Sequence, residues 1–219
     1  MSRVAFLAFL FFSHVVSADP RLMPPASGAI NVAFVITEGA NVIDMAGPWE
    51  VLQDTPWPGT ETPAFRLYTV SDARKPVKMT GGLAVVPDFT FEDAPPPALV
   101  FVGAQGASRG RAAWLRKVAA DPSNQAVVSV CTGAFRLAEA GLLDGLHATT
   151  HHDFFDVFEK RFPKVKLDRG ARFVQGAPNV FTAGGLTSGV DLALHIVGLY
   201  FGAQAAANTA RYMEYHPPN

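Results

Sequence analysis

A doubly wound α/β sheet carrying a cysteine elbow is the fold class this sequence predicts, on three observations. Short β-branched runs (INVAFVI, FRLYTVS, LVFV, QAVVSV) alternate with longer periodic ones, the pattern of parallel strands joined by helices. The 219 residues are 49% hydrophobic and 17% charged, which suits one domain with a sizeable core. The single cysteine, Cys131, stands where the apolar run VVSV stops and GAFRLAEAGLL begins. Gly133, two residues on, permits the sharp turn of a nucleophile elbow.

The elements follow in order. Residues 1–18, MSRVAFLAFLFFSHVVSA, combine Arg3, an apolar run from Val4 to about Val16 and the small pair Ser17-Ala18, and read as a cleaved export signal. The run is shorter than the roughly 18 to 20 apolar residues of a spanning helix; a retained anchor is the competing reading. Export would make the protein periplasmic or secreted, with no stable membrane insertion after cleavage. Residues 19–29, DPRLMPPASGA, are Pro-rich and read as a flexible lead, and residues 30–219 as a single domain.

Within that domain Ile30–Ile36 is a buried strand, and GPWEVLQ begins a helix with Pro48 in its first turn. FRLYTVS is the second strand, and VKMTGGLAVVPDFTFED a hairpin about Gly81-Gly82. A strand from about Leu99 to Val102 leads to a helix around Ala112 to Ala120, and QAVVSV then delivers Cys131. A short strand at His147–Thr150 precedes another helix; RFVQGAPNVFTAGG is a hairpin, and a long apolar helix starts near Thr187.

A net charge of -1 without runs of Lys or Arg leaves no electrostatic footprint for nucleic acid or an anionic membrane. One cysteine cannot make an internal disulfide, so Cys131 is either a small buried hydrophobe or a working group. Ligands of open α/β sheets bind beyond the carboxyl ends of the strands. At such an end the amides opening the next helix would lower the thiol pKa and cradle a developing anion. Asp44, the one carboxylate in NVIDMAGPWE before Glu50, follows another strand. In one crevice Asp44 and Cys131 would hold a single proton and titrate as a unit. Helix capping is the alternative role for Asp44, and equally for Thr132.

VIDMAGPWEVL, VVSVCTGAFRLAEAGLLDGLHATTHH and FTAGGLTSGVDLALHIVGLYFG resemble the ThiJ/PfpI superfamily, of class I glutamine amidotransferase-like fold. Its isonitrile hydratase-like branch is the nearest, over about Ile30 to Pro217. The resemblance implies a flavodoxin-like three-layer sandwich with a mostly parallel central sheet, a homodimer, and neither metal nor organic cofactor. It places the nucleophile on Cys131, the acidic partner on Asp44 and a threonine directly after the nucleophile, Thr132, whose backbone amide would stabilise an anion and whose hydroxyl would hold the thiolate or Asp44. The implied small-molecule substrate is an isonitrile, hydrated to an N-formamide through a thioimidate on Cys131.

The chain departs from that branch at VFVGAQGAS, which replaces a Pro-Gly-Gly loop. Ala104 or Gln105 would present the loop amide, and Gln105 also offers a side-chain amide, so the expected substrate pocket comprises Ala104, Gln105, His151 and Gly133. His151, in ATTHH, reads either as a pocket group near the thiol or as a structural histidine. Thr132 occupies the position where protease-like relatives carry the histidine of a Cys-His dyad. Cys131, His151 and His152 lack the usual zinc spacings, so no metal is expected. GGLTSGVD reads as helix initiation or a weak anion site. Two other activities share this scaffold: glyoxalase or deglycase-like chemistry on reactive carbonyls, and ligand binding or a stress response without turnover, as in sensor domains of AraC-type regulators. Those regulators continue into a helix-turn-helix region that does not follow within these 219 residues, so DNA binding is not expected.

Overall fold

The computed structural model describes residues 22–216, and the expected export signal at 1–18 lies outside the described residues. In chain order they form β1 (Ile30–Val35), α1 (Val42–Gln53), β2 (Phe65–Ser71), β3 (Val77–Lys78), β4 (Ala84–Val85), β5 (Phe89–Thr90), β6 (Leu99–Val102), α2 (Arg111–Ala119), β7 (Ala126–Val130), α3 (Gly133–Glu139), β8 (His147–Ala148), α4 (Phe155–Arg161), β9 (Lys166–Leu167), β10 (Phe173–Ala177), β11 (Val180–Ala183), α5 (Ser188–Phe201) and α6 (Ala203–Tyr212). Seven of the strands make one sheet in the order β10-β11-β7-β6-β1-β2-β5. Every neighbouring pair is parallel except β10 and β11.

β6 and β7 are buried along their whole length, as unbroken apolar runs demand in a parallel sheet covered on both faces. Alternate side chains part to opposite sides. Phe34, Phe101, Val128 and Phe181 pack with residues of α1, α5 and α6, while Val35, Val100, Val102 and Val127 pack with residues of α2, α3 and α4. The result is the expected flavodoxin-like three-layer sandwich. Because the chain runs from β1 out to β2 on one side and returns to β6 on the other, the carboxyl ends of β1 and β6 flank the crevice where such sheets bind ligands. No helix among the described residues is long and apolar enough to cross a membrane.

Four local features differ from the sequence expectation. α1 starts at Val42, since Asn41 Oδ1 accepts the Ile43 and Asp44 N–H groups; Pro48 is therefore inside the helix, buried, and its missing N–H leaves the Asp44 carbonyl without a helical donor. The lead is anchored from Leu22 onward, not flexible throughout: Leu22 is buried, and the Met23 peptide exchanges two 2.7 Å hydrogen bonds with the Gln125 side chain. The strand at 147–150 stops at Ala148, because the Thr149 N–H goes to Thr182 Oγ1 at 2.9 Å and the Thr150 hydroxyl to the Cys131 carbonyl at 2.9 Å. Beyond α5, Gly202 turns the chain with φ +88 and an Ala-rich second helix, α6, begins.

Candidate active site

Cys131 directly follows β7 with φ +59, in the left-handed region that a side chain disfavours. Both of its peptide groups are tied. Its N–H donates to the Gly184 carbonyl at 2.8 Å, and its carbonyl accepts the Thr150 hydroxyl. Such over-determined strain is a hallmark of functional turns. Gly133 lets the elbow sit on the end of β6, since a Cβ there would lie 1.9 Å from the Val102 carbonyl oxygen. Gly133 is thus a buried floor and not the pocket-lining residue the sequence suggested.

Asp44, the third residue of α1, is 1% exposed. Its Oδ2 accepts the Ala104 N–H at 2.8 Å, so the altered loop does present an amide, and it presents it to the acid. Asn41 takes the capping role that was the alternative for Asp44. The Cys131 thiol and the Leu186 N–H also approach the Asp44 carboxyl, while Oδ1 receives no N–H or O–H hydrogen bond of ordinary geometry. Around the sulfur stand the Thr132 and Leu186 N–H groups together with Asp44. The Thr132 side chain makes no capping bond to α3, and its peptide N–H faces the sulfur.

Leu186 is the site residue that sequence reasoning missed. Its φ is +56, and the turn carrying it is pinned by the Gly184 N–H on the Arg172 carbonyl and by the Arg172 guanidinium on Asp191 and Thr187. The signal was the Gly-Gly at the end of another strand, which composition alone does not separate from helix initiation.

Burial pushes the Asp44 carboxyl up from 3.8 to about 6, against the lowering effect of its Ala104, Cys131 and Leu186 donors. Burial, and then the Asp44 charge, push the Cys131 thiol up to about 12, with the Thr132 and Leu186 amides offsetting only part of it. The expectation of a thiol acidified by the helix start is therefore overturned. Desolvation outweighs the two amides because Cys131 is only 6% exposed and the ionised Asp44 adds to it. The shared proton rests on sulfur at neutral pH, beside an ionised Asp44, and the two groups titrate together. Iodoacetamide should consequently alkylate native Cys131 roughly a thousandfold more slowly than an exposed thiol at pH 7. Asp44→Asn removes the opposing charge and should speed the reaction. Labelling rates followed by mass spectrometry across pH check this; an inflection near that of a free thiol, unmoved by Asp44→Asn, would contradict it.

Gln105 does not enter the pocket. It is buried, donates from Nε2 to the Val35 and Gly103 carbonyls at 3.2 and 3.3 Å, and accepts the Thr37 hydroxyl at 2.9 Å. The buried Arg111 closes this network through Thr37 Oγ1 at 3.2 Å and the Gly106 carbonyl at 2.8 Å. Turned beneath its own loop, Gln105 braces the 103–106 backbone that aims Ala104 at Asp44. His151 lies against Gly185, stacks on His152 and accepts the Asp153 N–H through Nδ1 at 3.2 Å; no hydrogen bond joins it to Cys131 among the described residues.

A cysteine on a strained strand-to-helix turn, sharing a proton with a buried acid above a parallel sheet, defines a class of α/β domains built around a cysteine elbow. The chain belongs to the DJ-1/PfpI family, whose sequence pattern matches residues 30–199. It is 31% identical over 195 residues to the isonitrile hydratase of Pseudomonas putida, covering 86% of this chain and 80% of that one. It is also 30% identical over 151 residues to the transcriptional regulator CdhR of Pseudomonas aeruginosa, covering 67% of this chain and 44% of the regulator. The chain thus spans less than half of that regulator. A crystal structure of a ThiJ/PfpI family protein from Pseudomonas syringae superimposes with a TM-score of 0.72 at 26% identity, covering 97% of this chain and 84% of the other.

Proposed function

We propose that this protein is a cysteine-dependent small-molecule enzyme that hydrates isonitriles to N-formamides. The buried Asp44–Cys131 pair carries the reading: an acid with a pKa of about 6 gives and takes protons near neutral pH. As the sulfur lone pair forms a C–S bond to the terminal isonitrile carbon, the thiol proton passes by way of Asp44 to that carbon, leaving a thioimidate. Water then adds to the thioimidate carbon, the C–S bond breaks, a proton returns to sulfur, and the N-formamide leaves. The Thr132 and Leu186 amides would stabilise charge on sulfur during both steps. The identity with the hydratase over most of its length supports this choice of substrate.

Incubation with an alkyl isonitrile should give an adduct of one substrate mass on Cys131 and free N-formamide, both read by mass spectrometry. Consumption of methylglyoxal with no attack on isonitrile would move the assignment to reactive carbonyls. Reversible binding without product would favour a ligand-binding domain, a reading supported by the similarity to CdhR. We further take the protein to be exported and homodimeric, with no nucleic-acid partner. An exported protein whose N-terminal sequence starts at Met1, not near Asp19, would overturn the cleavage.

A further inference from the structure

We propose that His151, His152 and Asp153 bind a divalent cation of the Zn2+ type beside the thiol site. The sequence argued against a metal by testing the histidines together with Cys131; the fold supplies Asp153 as the third donor instead. His151 Nδ1 stands 3.8 Å from Asp153 Oδ2, and His152 Nε2 stands 3.1 Å from Asp153 Oδ1. Two ligands held at zinc bonding distance in a tetrahedral arrangement are about 3.3 Å apart; these spacings reach different oxygens of Asp153, whose exposed carboxylate turns to set one oxygen between the imidazoles, the three ligand atoms lying within 4.8 Å of one another. The two imidazoles are stacked with ring centroids 4.5 Å apart, so the exposed His152 ring swings out of the stack to aim its nitrogen at a shared ion.

One ligand is largely buried and two are exposed. His151 is pressed against the backbone so closely that a Cβ on Gly185 would meet its Cδ2 at 2.3 Å. Its Nδ1 accepts the Asp153 N–H at 3.2 Å. An ion at zinc bonding distance from Nδ1 needs the space that the Asp153 N–H now fills, so binding turns the His151 ring off this 3.2 Å hydrogen bond. The side chains of His152 and Asp153 are 75% and 68% exposed, free to swing through the remaining distance. Two imidazoles and one carboxylate suit Zn2+, Ni2+ or Cu2+ better than the oxygen-seeking Mg2+ and Ca2+. Three protein ligands also leave a coordination position open. Gly185, the backing of His151, directly precedes Leu186, whose N–H faces the Cys131 sulfur.

Zinc chloride titrated into the full chain, followed by calorimetry, tests the proposal; Cys131→Ala is titrated alongside so that sulfur contributes nothing. One ion per chain should bind to both proteins. His152→Ala and Asp153→Asn should each weaken binding by about tenfold or more, with circular dichroism unchanged because both side chains are exposed. His147→Ala, which removes another exposed histidine beside a carboxylate, Asp168 at 2.9 Å, should leave the affinity as it was. Failure of Cys131→Ala to bind zinc, or binding that survives both His152→Ala and Asp153→Asn undiminished, would overturn the site.

Discussion

Asp44→Asn should lower isonitrile turnover by roughly a hundredfold to ten-thousandfold in a protein that melts no lower than its parent at pH 7. The amide keeps the shape of the carboxylate and an oxygen for the Ala104 N–H, but it cannot carry a proton between sulfur and carbon. The stability half follows from the direction of the pKa shift. A carboxyl moved from 3.8 up to about 6 binds its proton more tightly folded than unfolded. Its stabilising contribution is full below the unfolded value and is lost as pH rises through about 6. Two pKa units amount to about 3 kcal/mol, the upper bound on what the buried ion takes from the parent at neutral pH and the asparagine variant escapes. The parent should therefore gain on the variant as pH falls from 7 toward 4. Thermal melts over that range, with product formation at pH 7, measure both halves. Turnover near the parental rate would make Asp44 a structural residue and remove the proton route on which the hydratase reading stands.

Gly133→Ala should have the largest effect on folding of any single-methyl change at the site. A Cβ would fall 1.9 Å from the Val102 carbonyl oxygen and 2.8 Å from its carbonyl carbon. Both are backbone atoms of β6, a strand paired on both sides with β1 and β7, so neither can step aside. Overpacking against mobile side chains costs about 1–3 kcal/mol, and this clash should exceed about 3 kcal/mol, lowering the melting temperature by roughly 6–12 °C in a domain of this size. Gly141→Ala is the comparison. Gly141 has φ +76 with open space around it, so that change should cost only the backbone term, about 1–2 kcal/mol. Equal melting temperatures for the two variants would show that the elbow relaxes away from β6 and that Gly133 does not set the height of the thiol.

The central strands were legible because they are short β-branched runs between longer periodic ones, and the elbow because a glycine stands two residues after a strand-ending cysteine. The partnership of Asp44 and Cys131 was legible too, since residues that follow strands of one parallel sheet collect along one edge. Other features depend on what packs where. Gln105 looked like a pocket amide until Thr37 and Arg111, from two other segments, drew it under its own loop. Leu186 was hidden because a positive φ at a non-glycine is imposed by neighbours, here the ties of Gly184 to Arg172 and of Cys131 to Gly184. The cap of α1 was a local signal, Asn41, passed over because Pro48 suggested a later start.

By itself the sequence determined the parallel α/β scaffold, the family, and the identity of the thiol and its acid, because these follow from local periodicity and short motifs. Only the tertiary structure decided which way the thiol titrates and which of the two groups holds the proton at neutral pH. Those depend on the burial of Asp44 and Cys131 where α1, the loop carrying Ala104, the start of α3 and the turn carrying Leu186 meet, and a low-dielectric enclosure assembled from distant segments has no counterpart in any single stretch of chain.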